Sequence, residues 1–214
     1  MTIETPDRLK PELQMDLQRQ VRAHSKRLSW LLRHGAGREG ISMDNAGWVK
    51  LTDVLNFLNL DNDQLCLVIQ ENNKARFELH GEKLRATQGH SLDRMPVTQE
   101  ALEASWTIYN PQGEDRIWHA TQSQHLDSIL KDGIIRGERS HVHLANAIDS
   151  PVGKRSNAPL LIEVSVAKLR TEGYEVFISP NGVVLTRFVP PSCIINVRDT
   201  RGNRAKVRDK KIHG

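Results

Sequence analysis

Hydrophobic positions along the first third of the chain follow a helical period. Leu17, Val21, Leu28, Leu31 and Leu32 recur at about 100° per residue. Arg19, Arg22, Lys26 and Arg33 fall on the opposite face, so the pattern predicts an amphipathic helix from about Met15 to His34. Gly35 then reads as its C-terminal stop. Residues 47–50 read as a short strand, and Thr52 is placed to cap a helix reaching about Phe57. Asp61 or Asp63 caps a further helix that carries Leu65, Leu67, Val68 and Ile69. Residues 76–79 and 83–86 flank His80-Gly81-Glu82, the pattern of a hairpin around a glycine turn.

Helices followed by a hairpin suggest a winged-helix-like lobe, a frequent nucleic-acid-binding scaffold that fixes no function by itself. The segment 93–103, polar with Pro96, is the best linker. Beyond it the texture changes to strands and turns. Strands are expected at 116–121, 141–145 and 160–166, a helix at 123–131 ended by Gly133, and a hairpin within 176–185 turning at Pro180-Asn181-Gly182. Residues 193–197 close the sheet. The whole is expected to be α+β in two lobes, residues 1–94 and 95–214.

Composition narrows the classes. With 214 residues, 38% of them hydrophobic, either one large or two small domains could bury a core. Mean hydropathy is −0.51, and no apolar run approaches the roughly 18 residues of a membrane span. Residues 1–12 are polar with no apolar stretch, so nothing points to export, and a cytoplasmic protein is expected. Cys66 and Cys193 sit far apart among apolar neighbours and read as buried reduced thiols; their number excludes a four-cysteine zinc site. Net charge is +4, yet residues 198–214 carry seven Lys/Arg against two Asp. The basic pI therefore reports a tail, a solvated terminus or a non-specific phosphate attractor, and not a basic body.

Candidate chemistry concentrates in four strings. Leu31-Leu32-Arg33-His34-Gly35 ends the first helix with two adjacent cationic side chains. These could simply answer the helix dipole; equally, a guanidinium beside an imidazole can hold a phosphate monoester and exchange a proton with it. In Arg85-Ala86-Thr87-Gln88-Gly89-His90-Ser91, Arg85 offers a planar fork for phosphate and Gly89 admits a close backbone approach. His90 and Ser91 add a titratable donor and a hydroxyl, so Gln88, Gly89, His90 and Ser91 are candidate substrate contacts. The other two strings are Trp118-His119-Ala120-Thr121 and Arg139-Ser140-His141-Val142-His143-Leu144. His141 and His143 share a strand face and could suit a metal, but no third ligand follows at convincing spacing, so no metal is expected. Neither a Rossmann glycine fingerprint nor a Walker A loop occurs.

Taken together and in this order, the four strings resemble the NAD-dependent RNA 2′-phosphotransferase family, over about residues 26–191. The resemblance implies an ADP-ribosyltransferase-like second lobe, with the substrate in the cleft between lobes. It implies a phosphate-gripping catalytic tetrad of Arg33, His34, Arg85 and Arg139; Arg139 is preferred to Arg136 because it reproduces the family's Arg-x-His-x-His spacing. His119, Ala120, Thr121, His141 and His143 would face NAD, the co-substrate. Ala120 stands where the family has glycine, and Val184 where an aromatic is common.

The reaction implied has two steps. The 2′-phosphate of RNA attacks C1″ of the NAD ribose and expels nicotinamide. The ribose 2″-hydroxyl then attacks that phosphate, which frees the RNA 2′-OH and ADP-ribose 1″,2″-cyclic phosphate. An imidazole, titrating near about 6.5, makes His34 the candidate proton donor to the departing oxygen. The partners expected are RNA bearing a 2′-phosphate and NAD, with no membrane, on a monomer. Two other classes fit less of the pattern: a general ADP-ribosyltransferase acting on protein or nucleic-acid ends, and a non-catalytic RNA-binding module. NAD binding separates the last from both enzymes.

Overall fold

The apolar stripe of the first helix does what its period predicts. Helix α1 (Pro11–Trp30) buries Val21 and Leu28, and Leu31 and Leu32 follow into the core. A computed structural model describes residues 11–72, 74–111, 115–154 and 157–199. Residues 1–10 and most of the basic tail lie outside the described residues. The chain divides into two compact units between Val97 and Thr98.

In the first unit, β1 (Val49–Lys50) leads directly into α2 (Leu51–Leu58), and α3 (Asn62–Gln70) follows. Thr52 is no cap: the N-cap of α2 is Lys50, with no side-chain hydrogen bond. Asp61 caps α3 in a full capping box, its carboxylate accepting from the Gln64 N–H while the Gln64 side chain accepts from the Asp61 N–H. The hairpin β2 (Phe77–His80) and β3 (Lys83–Ala86) turns at Gly81, whose φ is +57°. The sheet order β1-β3-β2 makes β3 central, so Leu84, Arg85 and Ala86 are all buried.

The second unit begins with α4 (Gln99–Glu103), capped by the Thr98 hydroxyl, so the latter half of the segment read as linker is helix. Its core lies among β4 (Thr107–Ile108), β5 (Arg116–Thr121), α5 (Leu126–Asp132), β6 (Val142–Leu144), β7 (Leu160–Ser165), α6 (Val166–Thr171), β8 (Phe177–Ile178), β9 (Val184–Thr186) and β10 (Ile194–Asp199). Two antiparallel sheets form, ordered β10-β7-β5 and β4-β8-β9-β6. The bridge between Trp118 and Ala145 ties β5 to the residue after β6, with both N–H groups bonded at 2.9 and 2.8 Å. Cys193 is buried, as expected, but Cys66 is exposed on α3; both thiols are free. Among the described residues no helix is long and apolar enough to cross a membrane.

Removing the α3 cap tests how far local signals carry this unit. Asp61→Ala should cost about 1 kcal/mol, seen as a lowered urea midpoint with an unchanged slope. An unshifted midpoint would mean that tertiary packing alone holds the helix.

Candidate active site

The first cluster begins where α1 changes pitch. At Leu31–Gly35 the helix widens into a π turn, with the Ala36 N–H donating to the Leu31 carbonyl at 3.0 Å. Such turns recur at functional positions because they reorient the side chains they carry. Gly35 is therefore not a stop. A Cβ there would lie 2.5 Å from the Trp30 ring, so glycine makes room for the indole. Trp30 in turn stacks on Phe57 of α2, with ring centroids 6.3 Å apart.

Arg33 and His34 emerge half-buried from this turn. Ser91, itself buried, holds both. Its N–H donates to the Arg33 carbonyl at 3.0 Å, and its hydroxyl lies 2.8 Å from His34 Nδ1. Gly89 has φ +91°, and a side chain there would come within 3.3 Å of Arg33 Nε. Glycine is required twice, for the left-handed backbone and for the guanidinium lying on it.

Arg85 comes from β3 and is only 5% exposed. Its Nε and Nη2 donate to Glu78 Oε2 at 2.9 and 2.7 Å, and its Nη1 donates to the Ala46 carbonyl at 3.4 Å. The guanidinium lies 4.4 Å over the Trp48 ring. A guanidinium has five N–H bonds. Two, one on each terminal nitrogen, remain beyond these contacts.

His90 is the surprise. Rather than presenting a donor to substrate, it is 0% exposed and packs against Gly47, where a Cβ would lie 2.6 Å from Nε2. Neither ring nitrogen has a hydrogen-bond partner among the described residues. Burial first, then the nearby charges of Arg33, Arg85 and His34, push its pKa down to about 3. Contacts with its chain neighbours bring the same three side chains near: Arg33 lies on Gly89, His34 meets Ser91, and Arg85 reaches the Ala46 carbonyl beside Gly47. Thr87 is buried too, with its hydroxyl on the Arg76 carbonyl, and Gln88 is half-buried.

A second cluster lies in the second unit. His119 on β5 is half-buried, its Nδ1 3.0 Å from the His143 carbonyl; Ala120 and Thr121 beside it are buried. His143 Nδ1 pairs with the His141 carbonyl. His141 lies deeper than its two strand neighbours. It is 0% exposed, its Nε2 is 2.9 Å from Glu103 Oε1, and Trp106 packs edge-on at 4.9 Å. Glu103 also accepts two 2.6 Å hydrogen bonds from Arg187. Burial works to raise the Glu103 pKa, but its bonds to Arg187 and His141 prevail and hold it low; burial dominates at His141 and lowers its pKa, keeping it neutral. Arg136 donates to the carbonyl of Arg139 at 2.7 Å, bracing the loop that presents the exposed Arg139.

Sequence reasoning missed the acids. Glu78 stands opposite Arg85 in the hairpin register, which counting back from Gly81 would have found. Glu103 and the fully buried Glu163, bridged by Arg116 and by Arg198 at 2.9 Å, carry no local signal. Among the described residues no group of three His, Cys, Asp or Glu is placed to hold a metal ion. The donor set of the second unit, an imidazole, the Thr121 hydroxyl and the buried Ser140 hydroxyl, which has no partner among the described residues, fits ribose and phosphate oxygens.

A family profile described as "RNA 2'-phosphotransferase, Tpt1 / KptA family" matches residues 18–188. The chain belongs to the RNA 2′-phosphotransferase family. Relatives bearing the name "Probable RNA 2'-phosphotransferase" include one from Burkholderia lata, 36% identical over 78% of this chain and 86% of its own length. Another, from Pseudomonas syringae pv. tomato, is 33% identical over 82% of this chain and 94% of its own. A third, from Pyrobaculum aerophilum, is 34% identical over 82% and 81%.

The buried imidazole sets a pH dependence whose sign is fixed. Its folded pKa, about 3, lies below the ordinary value of 6.5, so its stabilisation is complete above pH 6.5 and is lost as pH falls toward 3. In that window the unfolded chain binds a proton that the folded one refuses, a slope of about 1.4 kcal/mol per pH unit. His90→Gln should therefore melt with a shallower decline than wild type between about pH 6.5 and 4.5. Equal slopes would show that His90 protonates in the fold.

Proposed function

We propose that this protein removes an internal 2′-phosphate from RNA, of the kind left at a tRNA splice junction, by transferring it to NAD. The products are RNA with a free 2′-OH, nicotinamide and ADP-ribose 1″,2″-cyclic phosphate. The observation that carries this reading is that Arg33, His34 and Arg85 are held on the residues flanking His90 and Gly47, in a chain of this family. Three basic groups about one buried neutral ring make poor core packing, and a phosphate dianion is their natural counter-charge.

In this reading the first unit, expected from the sequence to end at residue 94, is a winged-helix-like RNA-binding lobe, and the second is an ADP-ribosyltransferase-like lobe. The three-stranded β1-β3-β2 sheet with its helices supports the former. The paired antiparallel sheets support the latter. Bound NAD supplies an electrophilic ribose carbon with nicotinamide as leaving group; His119, Ala120, Thr121 and His143 are the residues assigned to hold it. Arg85 meets the phosphate with its two remaining N–H bonds, and Arg33 and Arg139 add charge that neutralises it on binding and later as charge builds on phosphorus. Ser91 engages His34 Nδ1, so the proton His34 moves is the one on Nε2. Gln88, Gly89 and Ser91 shape the phosphate pocket, and His90 backs it. No metal enters this scheme, because cationic side chains do that work. The reading treats the chain as a monomer in the cytoplasm, where its two free thiols suit the reducing conditions.

Incubation with NAD and an oligonucleotide bearing one internal 2′-phosphate decides the question. Expected are 2′-OH RNA and an equal amount of nicotinamide; a retained 2′-phosphate with NAD binding demonstrated would favour a general ADP-ribosyltransferase. Arg85→Ala should lose turnover far more than NAD affinity, and Arg85→Lys should not restore it. His34→Ala should slow release of the 2′-oxygen by about 10²-fold or more, so that a slower-migrating RNA species accumulates on gels. If both chemical steps fall together with no such species, His34 binds but does not protonate.

A further inference from the structure

The reaction at the phosphate leaves unexplained a large cleft elsewhere in the first unit. It encloses about 920 Å³ between α1 and α3. Along α1 its wall carries Arg22, Lys26 and Arg33, and Arg76 lies on the opposite side. Glu71 is the one carboxylate among the lining residues, so four cations face a single anion. Arg22 and Lys26 are exposed, and neither is in an ion pair among the described residues. They stand one helical turn apart, about 6 Å along the axis.

The remaining lining is small and polar or aliphatic. Ser25 accepts from Asn72 Nδ2 at 3.0 Å, and Asn72 Oδ1 accepts from Arg76 Nη1 at 3.2 Å, so Arg76 is fixed at the cleft wall. Burial lowers the Arg76 pKa, the mark of a guanidinium short of solvation, which an anion would relieve. Leu17, Val21 and Leu67 supply an apolar floor, and Gln14 and Gln18 line it as well; no aromatic ring is among the described lining residues. The cleft ends at Arg33, the guanidinium that lies on Gly89 beside the phosphate cluster.

We propose that this cleft is the track for the RNA strand flanking the 2′-phosphorylated nucleotide, with Arg22, Lys26 and Arg76 meeting successive backbone phosphates. The proposal rests on the RNA 2′-phosphotransferase reading and extends it from the reacting group to the strand that carries it. Charge complementarity selects a polyanion, and continuity through Arg33 selects the strand already held at its phosphate. Among the described lining residues no aromatic ring offers a stacking platform for bases, so backbone phosphates are the groups this track engages. A protein partner with an acidic helix is the competing occupant.

The test uses full-length protein and a set of RNAs, each with one internal 2′-phosphate. A trinucleotide is compared with the same core extended by several nucleotides on the 5′ or the 3′ side. Wild type should show a higher kcat/KM on extension at one side. In the double variant Arg22→Glu, Lys26→Glu that gain should vanish, a loss of roughly ten-fold or more, while trinucleotide turnover is unchanged. The milder Arg22→Ala, Lys26→Ala pair should reduce the salt slope of binding by about 1.4, two phosphate contacts at about 0.7 each. Binding of the same RNAs without the 2′-phosphate and without NAD, read by fluorescence anisotropy, judges the cleft independently of turnover. If wild type leaves the 2′-phosphate intact, the functional reading fails while the anisotropy series still decides the track. A wild type indifferent to extension on both sides, or reversal variants that bind and process long RNA as wild type does, would overturn the proposal and assign the cleft to the protein partner.

Discussion

Holding several basic groups around one point is the constraint on which the first unit is built. Arg33, His34 and Arg85 repel one another, and a cation at position 90 would add to the repulsion. The chain answers with a buried neutral imidazole, kept uncharged by desolvation and by the very charges it backs. Each basic group is then fixed in place by a neighbour. Arg85 has Glu78 along one edge, His34 has the Ser91 hydroxyl, and Arg33 has a glycine beneath its side chain and the Ser91 N–H on its carbonyl. Residues 87–91 thus act as a strap across the end of α1. Pre-organisation of this kind spares a binding site the reorganisation that charge neutralisation otherwise demands.

The second unit handles buried charge differently, by closing it into networks. Glu103 is bonded to Arg187 and His141, and Arg187 reaches on to Glu100 at 2.8 Å. Glu163, fully buried on β7, is clamped between Arg116 and Arg198. These pairs tie α4 to the β6 and β9 edge and β5 to β10 through β7. Their members satisfy one another within the fold, as buried ions must. The first unit's cluster sets three basic groups against one carboxylate, whereas here each buried carboxylate has at least one arginine on it.

The helical stripe, the Asp61 cap, the Gly81 hairpin and the strands at 116–121 and 160–165 were legible because each has a local cause: a period, a capping residue or a turn glycine. Gly35 was misread for an equally physical reason. A glycine after a helical run resembles a terminus, but here the vacant Cβ accommodates the Trp30 ring inside a π turn, a contact no spacing rule contains. His90 looked like a surface donor because its neighbours are polar; its burial follows from Gly47, more than forty residues upstream in the chain. The roles of Glu78 and Glu103 depend likewise on which strand or helix lies opposite. Motif order picked out the candidate residues, while the partners that orient them are tertiary.

Glu78 sharpens the choice of residue at position 85. A lone carboxylate beside the proposed phosphate site looks self-defeating, since it competes for the same cation. Arginine resolves the competition by geometry. Its Nε and Nη2 edge is taken by Glu78, and the N–H bonds that remain on the terminal nitrogens face away from that edge in a rigid plane. The cation is thereby aimed as well as held, with Trp48 stacked on its face at 4.4 Å to prevent rotation. Lysine has no second edge. Its ammonium at this position would be drawn to Glu78, only partly exposed and already in contact, and little of its charge would reach a second anion. The hairpin register that sets Glu78 opposite Arg85 is therefore part of the site's chemistry, and a one-residue slip in β2 would disarm Arg85 without altering it.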